Sequence, residues 1–154
     1  MICIYDNVFD EETRISIRDF DYGPARPQKW YNYGDSPLHE KILDVVRQQF
    51  DISNTIGYEM WCNTRAVGWH YDHDEVKSKE TNFFVYPPCA IVYYAEVHSL
   101  VGGEFKTNSG VTIEPITNRL ICFSGDIYHG VMPYIGVRNA ISMNPWDHKI
   151  VNNV

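Results

Sequence analysis

Two histidines and one aspartate in this sequence have the side chains of an open metal site. His70 and Asp72 lie in the segment 67–72, whose pattern predicts a β-strand, and alternate residues of a strand point to the same face. His129 begins a later predicted strand, which a two-layer β fold can place beside the first pair. Two imidazoles and one carboxylate are the ligands of the facial triad that binds non-heme Fe(II). The sequence therefore predicts an iron site at His70, Asp72 and His129, although a His-x-Asp pair alone is more often two hydrogen-bonded residues of a strand.

A neighbouring aspartate competes for the carboxylate position. Asp74 shares the face of His70 and Asp72 if the strand continues that far. The shorter spacing favours Asp72, because it places a carboxylate beside the His70 imidazole. We expect Asp74 to lie past the end of the strand, where it orients a ligand or forms the loop, and His73 to point away from the metal.

Arg138 has the chemistry to bind an anionic cosubstrate of such a metal. It follows His129 closely and begins the last predicted strand. A buried arginine needs an anion, and its planar guanidinium matches a carboxylate, so a dicarboxylic molecule could chelate the metal at one end and bind Arg138 at the other. Ser142 lies on the same face of the strand and could donate a hydroxyl hydrogen bond to that carboxylate. The alternative for Arg138 is a surface ion pair, which contributes little to stability.

Short β-rich runs separated by turn residues must position these side chains. Gly102-Gly103, Asn108-Ser109-Gly110 and Ser124-Gly125-Asp126 are among the turns. Eight strands in two sheets describe a jelly roll. The predicted strands are 58–63, 67–72, 89–96, 103–106, 111–114, 119–123, 129–133 and 137–144.

The N-terminal third of the chain is predicted to support this β core. One amphipathic helix is expected over 37–50, with Ser36 as its N-cap and Pro37 in its first position. We expect one domain over 1–154, with a supporting region at 1–57 and the jelly-roll core at 58–146. The polar connection from His73 to about Pro88 is either a solvated connector or a segment that contacts substrate.

Composition narrows the class of protein. The 154 residues carry a net charge of −7, which disfavours a nucleic-acid partner, and 14% of them are aromatic, which favours sheets. No run approaches the ~18 apolar residues of a membrane span, and the first residues lack the pattern of a signal peptide. The four cysteines form no C-x-x-C pair, so we expect reduced core thiols and a cytoplasmic protein.

Together these motifs resemble the Fe(II)- and 2-oxoglutarate-dependent dioxygenases, most closely the prolyl-hydroxylase-like branch. The resemblance covers the chain from Tyr58 to Trp146. Two positions depart from the common pattern: Ala140 stands where many relatives have a hydroxyl residue, and many prolyl hydroxylases have lysine where this chain has Arg138. The motifs that carry the resemblance are His70-Tyr71-Asp72, Ile91-Val92-Tyr93-Tyr94, Gly102-Gly103-Glu104-Phe105, Asn118-Arg119-Leu120-Ile121-Cys122-Phe123, His129 and Arg138.

The resemblance implies a fold and a set of binding residues. The fold would be a double-stranded β-helix with N-terminal helical support, and His70, Asp72 and His129 would ligate iron. Arg138 would bind the distal carboxylate of 2-oxoglutarate, with the Tyr94 hydroxyl donating to the same end and Ser142 assisting. Tyr93 is the less favoured neighbour, because adjacent residues of a strand face opposite sides.

The implied activity is hydroxylation coupled to oxidative decarboxylation of 2-oxoglutarate by dioxygen. The substrate would be a peptidyl side chain such as proline, or a free amino acid, and the residues do not choose between them. Two alternatives stay open: a cupin-type metalloenzyme without 2-oxoglutarate, in which Arg138 binds another anion, and a non-catalytic β-sandwich binding protein. The oligomeric state does not follow from the sequence.

Overall fold

Residues 1–151 are described by a computed structural model, which contains ten strands and three helices over that range. The strands predominate, and two of them are much longer than the rest. In chain order the elements are β1 (Ile2–Tyr5), α1 (Glu11–Asp19), β2 (Lys29–Asn32), α2 (Pro37–Val46), β3 (Gly57–Asn63), β4 (Val67–His70), α3 (Glu75–Thr81), β5 (Cys89–Gly102), β6 (Phe105–Thr107), β7 (Thr112–Ile113), β8 (Arg119–Ser124), β9 (His129–Val131) and β10 (Tyr134–Trp146).

The strands form two antiparallel sheets. The larger sheet has six strands in the order β1-β8-β5-β10-β3-β2, and the smaller has four in the order β4-β9-β6-β7. All eight predicted strands are present in this jelly roll, so the predicted fold class is confirmed. Their bounds differ from the predicted ones. β5 and β10 extend beyond their predicted ends and pair with each other along most of their length, whereas the strand predicted over 67–72 ends at His70.

The two faces of the large sheet bury different partners. One face packs on the helices, through residues such as Ile17, Ile42 and Tyr93. The opposite face packs toward the small sheet in a second apolar cluster that includes Tyr94 and Phe105. Alternation along β5 therefore sends Tyr93 to the helices and Tyr94 to the interior between the sheets, as the sequence predicted.

A β-bulge interrupts the pairing of β5 with β10. Asn139 pairs with Glu96 and the next residue, Ala140, pairs with Tyr94, so Ala95 is an extra residue without a ladder partner. The Ala95 carbonyl instead accepts a hydrogen bond of 2.8 Å from Nη1 of Arg14 on α1. The N-terminal helix is thus attached to the central strand at its bulge.

The helices differ from the predictions in two respects. The helix predicted over 37–50 ends at Val46, although Phe50 beyond it remains buried. Helix α1 was not predicted; Asp10 caps it by accepting from the Thr13 amide at 2.8 Å. The connection after His73 contains the short helix α3, so it is not an irregular connector throughout. No helix within residues 1–151 is long and apolar enough to cross a membrane.

All four cysteines lie in the described range and are free thiols. Cys89 and Cys122 are buried in the sheet, and Cys3 and Cys62 are partly buried. This arrangement agrees with the prediction of unpaired core thiols.

A buried histidine connects α2 to the turn after α1. His39 lies between two hydroxyls: its Nε2 is 2.8 Å from the Tyr22 hydroxyl, and its Nδ1 is 2.7 Å from Ser36 Oγ. Because the Tyr22 hydroxyl donates to the Ile17 carbonyl at 2.7 Å, it accepts from Nε2–H, and Ser36 donates to Nδ1. Both ring nitrogens are therefore satisfied by the neutral imidazole, and burial lowers the pKa of His39 to about 4.

We predict that His39 makes the fold sensitive to acid. Its folded-state pKa is depressed below the unfolded value near ~6.5, so the unfolded chain takes up a proton first as the pH falls. The stability contributed by neutral His39 is present above pH ~6.5 and decreases toward pH 4, by up to about 3 kcal/mol. Chemical unfolding of the wild type and of His39→Gln between pH 4 and 8 tests this. A difference between the two proteins that does not change with pH would contradict it.

Candidate metal centre and carboxylate site

The two predicted histidine ligands lie side by side on neighbouring strands of the small sheet. His70 is the last residue of β4, His129 is the first of β9, and they are direct partners in the register of these strands. Asp72 lies two residues beyond the end of β4, so the loop and not strand alternation orients it. One side-chain atom of each of the three residues lies within 4.8 Å of the other two. The structure thus brings together the three residues that the sequence selected.

Short-range hydrogen bonds orient both imidazoles in the same way. Nδ1 of His70 is 2.7 Å from the Gly68 carbonyl, and Nδ1 of His129 is 2.8 Å from the Ile127 carbonyl. A carbonyl only accepts, so each Nδ1 carries the proton, and Nε2 faces the carboxylate of Asp72, at 3.2 Å from His70 and 3.7 Å from His129. This is the tautomer that an imidazole needs to bind a metal through Nε2.

The charges at the centre suit a divalent cation. Burial alone would raise the pKa of Asp72, but the nearby imidazoles of His70 and His129 and a hydrogen bond from Asn144 outweigh it and lower that pKa. Burial lowers the pKa of His129, which keeps its imidazole neutral. The pKa of His70 is raised, because the interaction with Asp72 exceeds the opposing effect of burial. A carboxylate anion therefore lies between two imidazoles at neutral pH.

Apolar rings cover the centre on the interior side. Phe105 stacks on His129 with ring centroids 5.3 Å apart, and Phe123 meets the same imidazole edge-on at 4.8 Å. Both phenylalanines belong to the cluster between the sheets. They limit the access of water to the metal centre from that side.

A buried polar pair lies behind Asp72, and the sequence analysis did not identify it. Asn144, which hydrogen-bonds Asp72, is the cross-strand partner of Glu59. Burial raises the pKa of Glu59 to about 7, against the opposing effect of a hydrogen bond of 2.9 Å from the Trp146 indole. Asn144 could have been found by alternation, since it lies six residues after Arg138 on the same strand.

Asp74 does not contribute to the centre. Its carboxylate caps α3 by accepting from the Lys77 amide at 3.0 Å, and its other oxygen is 2.7 Å from Nε2 of His148. His73 also points elsewhere, since its Nδ1 is 3.0 Å from Ser78 Oγ and its ring packs on Phe84. The cluster with the two histidines therefore contains Asp72 and not Asp74.

Arg138 is a buried cation that forms no ion pair with a carboxylate of residues 1–151. It is only 3% exposed, and its Nε donates to the Gly103 carbonyl at 3.0 Å while Nη2 donates to the Tyr94 hydroxyl at 3.4 Å. Its Nη1 has no hydrogen-bond partner among residues 1–151. A buried charge is costly unless it is paired, so a carboxylate ligand would supply the missing anion.

Tyr94 and Ser142, the other two residues predicted to bind the carboxylate of the cosubstrate, differ in their contact with Arg138. Tyr94 contacts Arg138 through both its hydroxyl and its ring, whose centroid is 5.1 Å from the Arg138 Cζ. Ser142 is on the same face of β10, opposite Val92, and no hydrogen bond joins it to Arg138. The Tyr93 hydroxyl donates to Asn118 at 2.7 Å on the helix side of the sheet.

A glycine makes room for the arginine. Gly103 has a φ of +81°, and a Cβ there would lie 3.0 Å from Cδ of Arg138. A side chain at this position would therefore both strain the backbone and displace the guanidinium stem.

We predict that Gly103→Ala destabilises the fold and weakens anion binding at Arg138. The control is Gly110→Ala, because Gly110 also has a positive φ, +95°, but a Cβ there has no atom within 4 Å. The backbone term, about 1–2 kcal/mol, is common to both variants, so the additional loss of unfolding free energy in Gly103→Ala measures the contact with Arg138. Chemical unfolding and calorimetric titration with 2-oxoglutarate measure the two effects. Equal losses in both variants would show that the contact is unimportant.

Solved structures similar to this chain include prolyl hydroxylases. The viral collagen prolyl hydroxylase of Paramecium Bursaria Chlorella virus-1, in its 2-oxoglutarate complex, gives a TM-score of 0.65 at 12% identity and covers 94% of this chain and 93% of its own. A Pseudomonas putida prolyl-4-hydroxylase gives 0.66 at 15%, covering 99% and 88%. A Trichoplax adhaerens prolyl hydroxylase, solved with a peptide fragment of the hypoxia inducible factor oxygen degradation domain, gives 0.60 at 17%, covering 95% and 83%.

Comparison of sequences alone finds no such similarity. No protein-family model matches the chain, and no curated protein matches it. At 12–17% identity the solved structures establish the three-dimensional architecture. The fold of this chain is therefore that of the prolyl-hydroxylase-like 2-oxoglutarate oxygenases, as the motif resemblance predicted.

Proposed function

We propose that this protein is an Fe(II)- and 2-oxoglutarate-dependent hydroxylase. The observation that carries the proposal is a His-Asp-His cluster in the same jelly roll as a buried guanidinium with an unpartnered nitrogen. The first fits Fe(II) and the second fits a carboxylate, and 2-oxoglutarate is a dicarboxylic acid that can bind both. The complex of the viral neighbour with 2-oxoglutarate supports this assignment.

Each residue of the site has a distinct part in this proposal. His70, Asp72 and His129 hold the iron, which with dioxygen couples the conversion of 2-oxoglutarate to succinate and carbon dioxide to the hydroxylation of a substrate C–H bond. Arg138 binds the distal carboxylate, and Tyr94 donates its hydroxyl there. Ser142 is a weaker candidate for the same contact, because its hydroxyl is not joined to Arg138.

Several aromatic side chains adjacent in sequence to the proposed ligands form one cluster, and we propose that this cluster contacts a peptidyl substrate. Tyr71 lies between two proposed ligands in sequence, and Tyr128 precedes the third; their rings are 4.7 Å apart. We call these two residues, together with Trp69, Phe84 and Tyr86, the aromatic rim. Phe84 is 54% exposed and packs on Tyr71 at 5.2 Å, so the segment after α3 reaches the rim.

A groove beside the rim has room for several residues of a peptide. Its volume is about 610 Å³, and it extends from Trp69 and Tyr128 to the turn between β6 and β7. A prolyl side chain in a peptide is therefore the substrate we propose first, and a free amino acid is the alternative. Two of the similar proteins support the peptidyl assignment: one is a collagen prolyl hydroxylase, and the other was solved in complex with a peptide fragment.

The decisive experiment is an anaerobic titration of the metal-free protein with Fe(II) and then with 2-oxoglutarate. We expect a visible charge-transfer band, which is lost in Asp72→Ala because a ligand is removed. In Arg138→Ala the band should need at least about 10-fold more 2-oxoglutarate, because a charge-assisted hydrogen bond is lost. Iron binding without the band would favour the cupin-type alternative. Absence of iron binding would favour a binding protein whose histidines are incidental.

We further expect the rim to affect substrate use and not the metal centre. Phe84→Ala should raise the KM for a proline-containing peptide, measured by succinate release, because the substrate loses an aromatic contact. Phe83→Ala is the control, since Phe83 is 77% exposed and has no aromatic partner within residues 1–151. An unchanged KM in Phe84→Ala, or turnover of free proline at the same efficiency as the peptide, would count against a peptidyl substrate at the rim.

A further inference from the structure

A cavity of about 200 Å³ opens beside Arg138 at one edge of β10. The pairing of β3 with β10 ends at Asn63 and Ala140, so no strand covers this edge of β10 from Tyr134 to Asn139. The cavity occupies that gap. Its lining residues are Thr64, Tyr134, Gly136, Val137, Arg138 and Asn139.

Tyr134 is a second tyrosine beside the guanidinium of Arg138. The centroid of its ring is 5.7 Å from Cζ of Arg138, against 5.1 Å for the ring of Tyr94. Its Cβ lies 3.3 Å from the position that a Cβ on Gly103 would occupy, so the same glycine admits both side chains. Arg138 is therefore in contact with two tyrosine rings.

The hydroxyl of Tyr134 is buried and has no hydrogen-bond partner among the described residues. Nη1 of Arg138 is also buried and has no hydrogen-bond partner among these residues. A buried donor without an acceptor is unfavourable, so a ligand that accepts hydrogen bonds from both groups would satisfy them together. A carboxylate has only acceptor sites and matches such a pair of donors.

Two other tyrosines show that an unpartnered hydroxyl alone does not indicate a site. The hydroxyls of Tyr5 and Tyr58 are also buried without partners, but neither tyrosine lines the cavity. Tyr58 packs in the helix-side core, where it stacks on Tyr31 at 5.5 Å. What distinguishes Tyr134 is the combination of its free hydroxyl, its contact with the guanidinium and the cavity.

We infer that Tyr134 is a binding residue for the distal carboxylate, to which its hydroxyl donates beside Arg138, and that it selects 2-oxo acids with a second carboxylate. This inference rests on the proposed function and adds a residue that the sequence analysis did not identify. Burial raises the pKa of Tyr134, against the opposing effect of Arg138, so the hydroxyl keeps its proton and remains a donor at neutral pH.

The test compares two ligands in three proteins. The ligands are 2-oxoglutarate and 2-oxopentanoate, which has the same carbon chain but lacks the distal carboxylate. The proteins are the wild type, Tyr134→Phe and the control Tyr58→Phe, which removes an equally unpartnered hydroxyl elsewhere. The dissociation constant of each ligand is read from the charge-transfer band of the anaerobic Fe(II) complex, without turnover.

We expect Tyr134→Phe to raise the dissociation constant of 2-oxoglutarate about 10-fold and to leave that of 2-oxopentanoate within twofold. Tyr58→Phe should change neither. Iron affinity and circular dichroism confirm that each variant is folded. An unchanged constant for 2-oxoglutarate in Tyr134→Phe, or an equal loss for both ligands, would overturn the inference while the proposed function stands. Absence of a 2-oxoglutarate band in the wild type would overturn the proposed function itself.

Discussion

The pairing of β5 with β10 is the constraint on which the proposed carboxylate site depends. These are the longest strands and neighbours in the large sheet, and they carry Tyr94 and Arg138 on the face turned to the small sheet. Since side chains alternate along a strand, a slip of one residue would turn these groups to the helix side. The bulge at Ala95 belongs to this arrangement, because Tyr94 and Val97 both pack toward the interior although they are three positions apart, an odd spacing that regular alternation would place on opposite faces.

The proposed metal centre depends on a different kind of constraint, which is local. Each histidine is oriented by the carbonyl two residues before it, and the two rings then meet because they are register partners. Asp72 lies in the loop after β4, where its carboxylate is close to both imidazoles and accepts a hydrogen bond from Asn144. The two constraints meet at Phe105, which packs on His129 and belongs to the same interior cluster as Tyr94.

The sequence predicted most of the core and missed features that depend on tertiary context. Eight strands and the opposite orientations of Tyr93 and Tyr94 follow from apolar patterns and alternation. The four-residue strands β1 and β2 were not predicted; they lie at the two edges of the large sheet and form because its outer strands offer them a hydrogen-bonding partner. The polar composition after His73 concealed α3, which begins where the Asp74 carboxylate caps it.

Tyr134 was not predicted as a site residue because the two residues after it resemble a turn. The pair Ile135-Gly136 has the composition of a turn, and the sequence analysis placed the start of the last strand after it. In the structure β10 continues through this pair with a register irregularity, and Gly136 has a φ of +123° that accommodates it. Tyr134 therefore lies four residues before Arg138 on one continuous strand, a relation equivalent to that of Ser142 on the other side.

The bond from Arg14 to the Ala95 carbonyl has a consequence for how this fold tolerates change. The bulge leaves one carbonyl of the central strand without a partner, and the donor that satisfies it comes from a helix more than 80 positions earlier in the chain. A buried acceptor that loses its donor favours a register in which it is paired or exposed to water, so the bond from α1 stabilises the observed strand alignment. A shortened protein that consists of the jelly roll alone would keep every proposed ligand residue. It would lose α1, whose bond to the Ala95 carbonyl helps to fix the register of the strands that carry Tyr94 and Arg138.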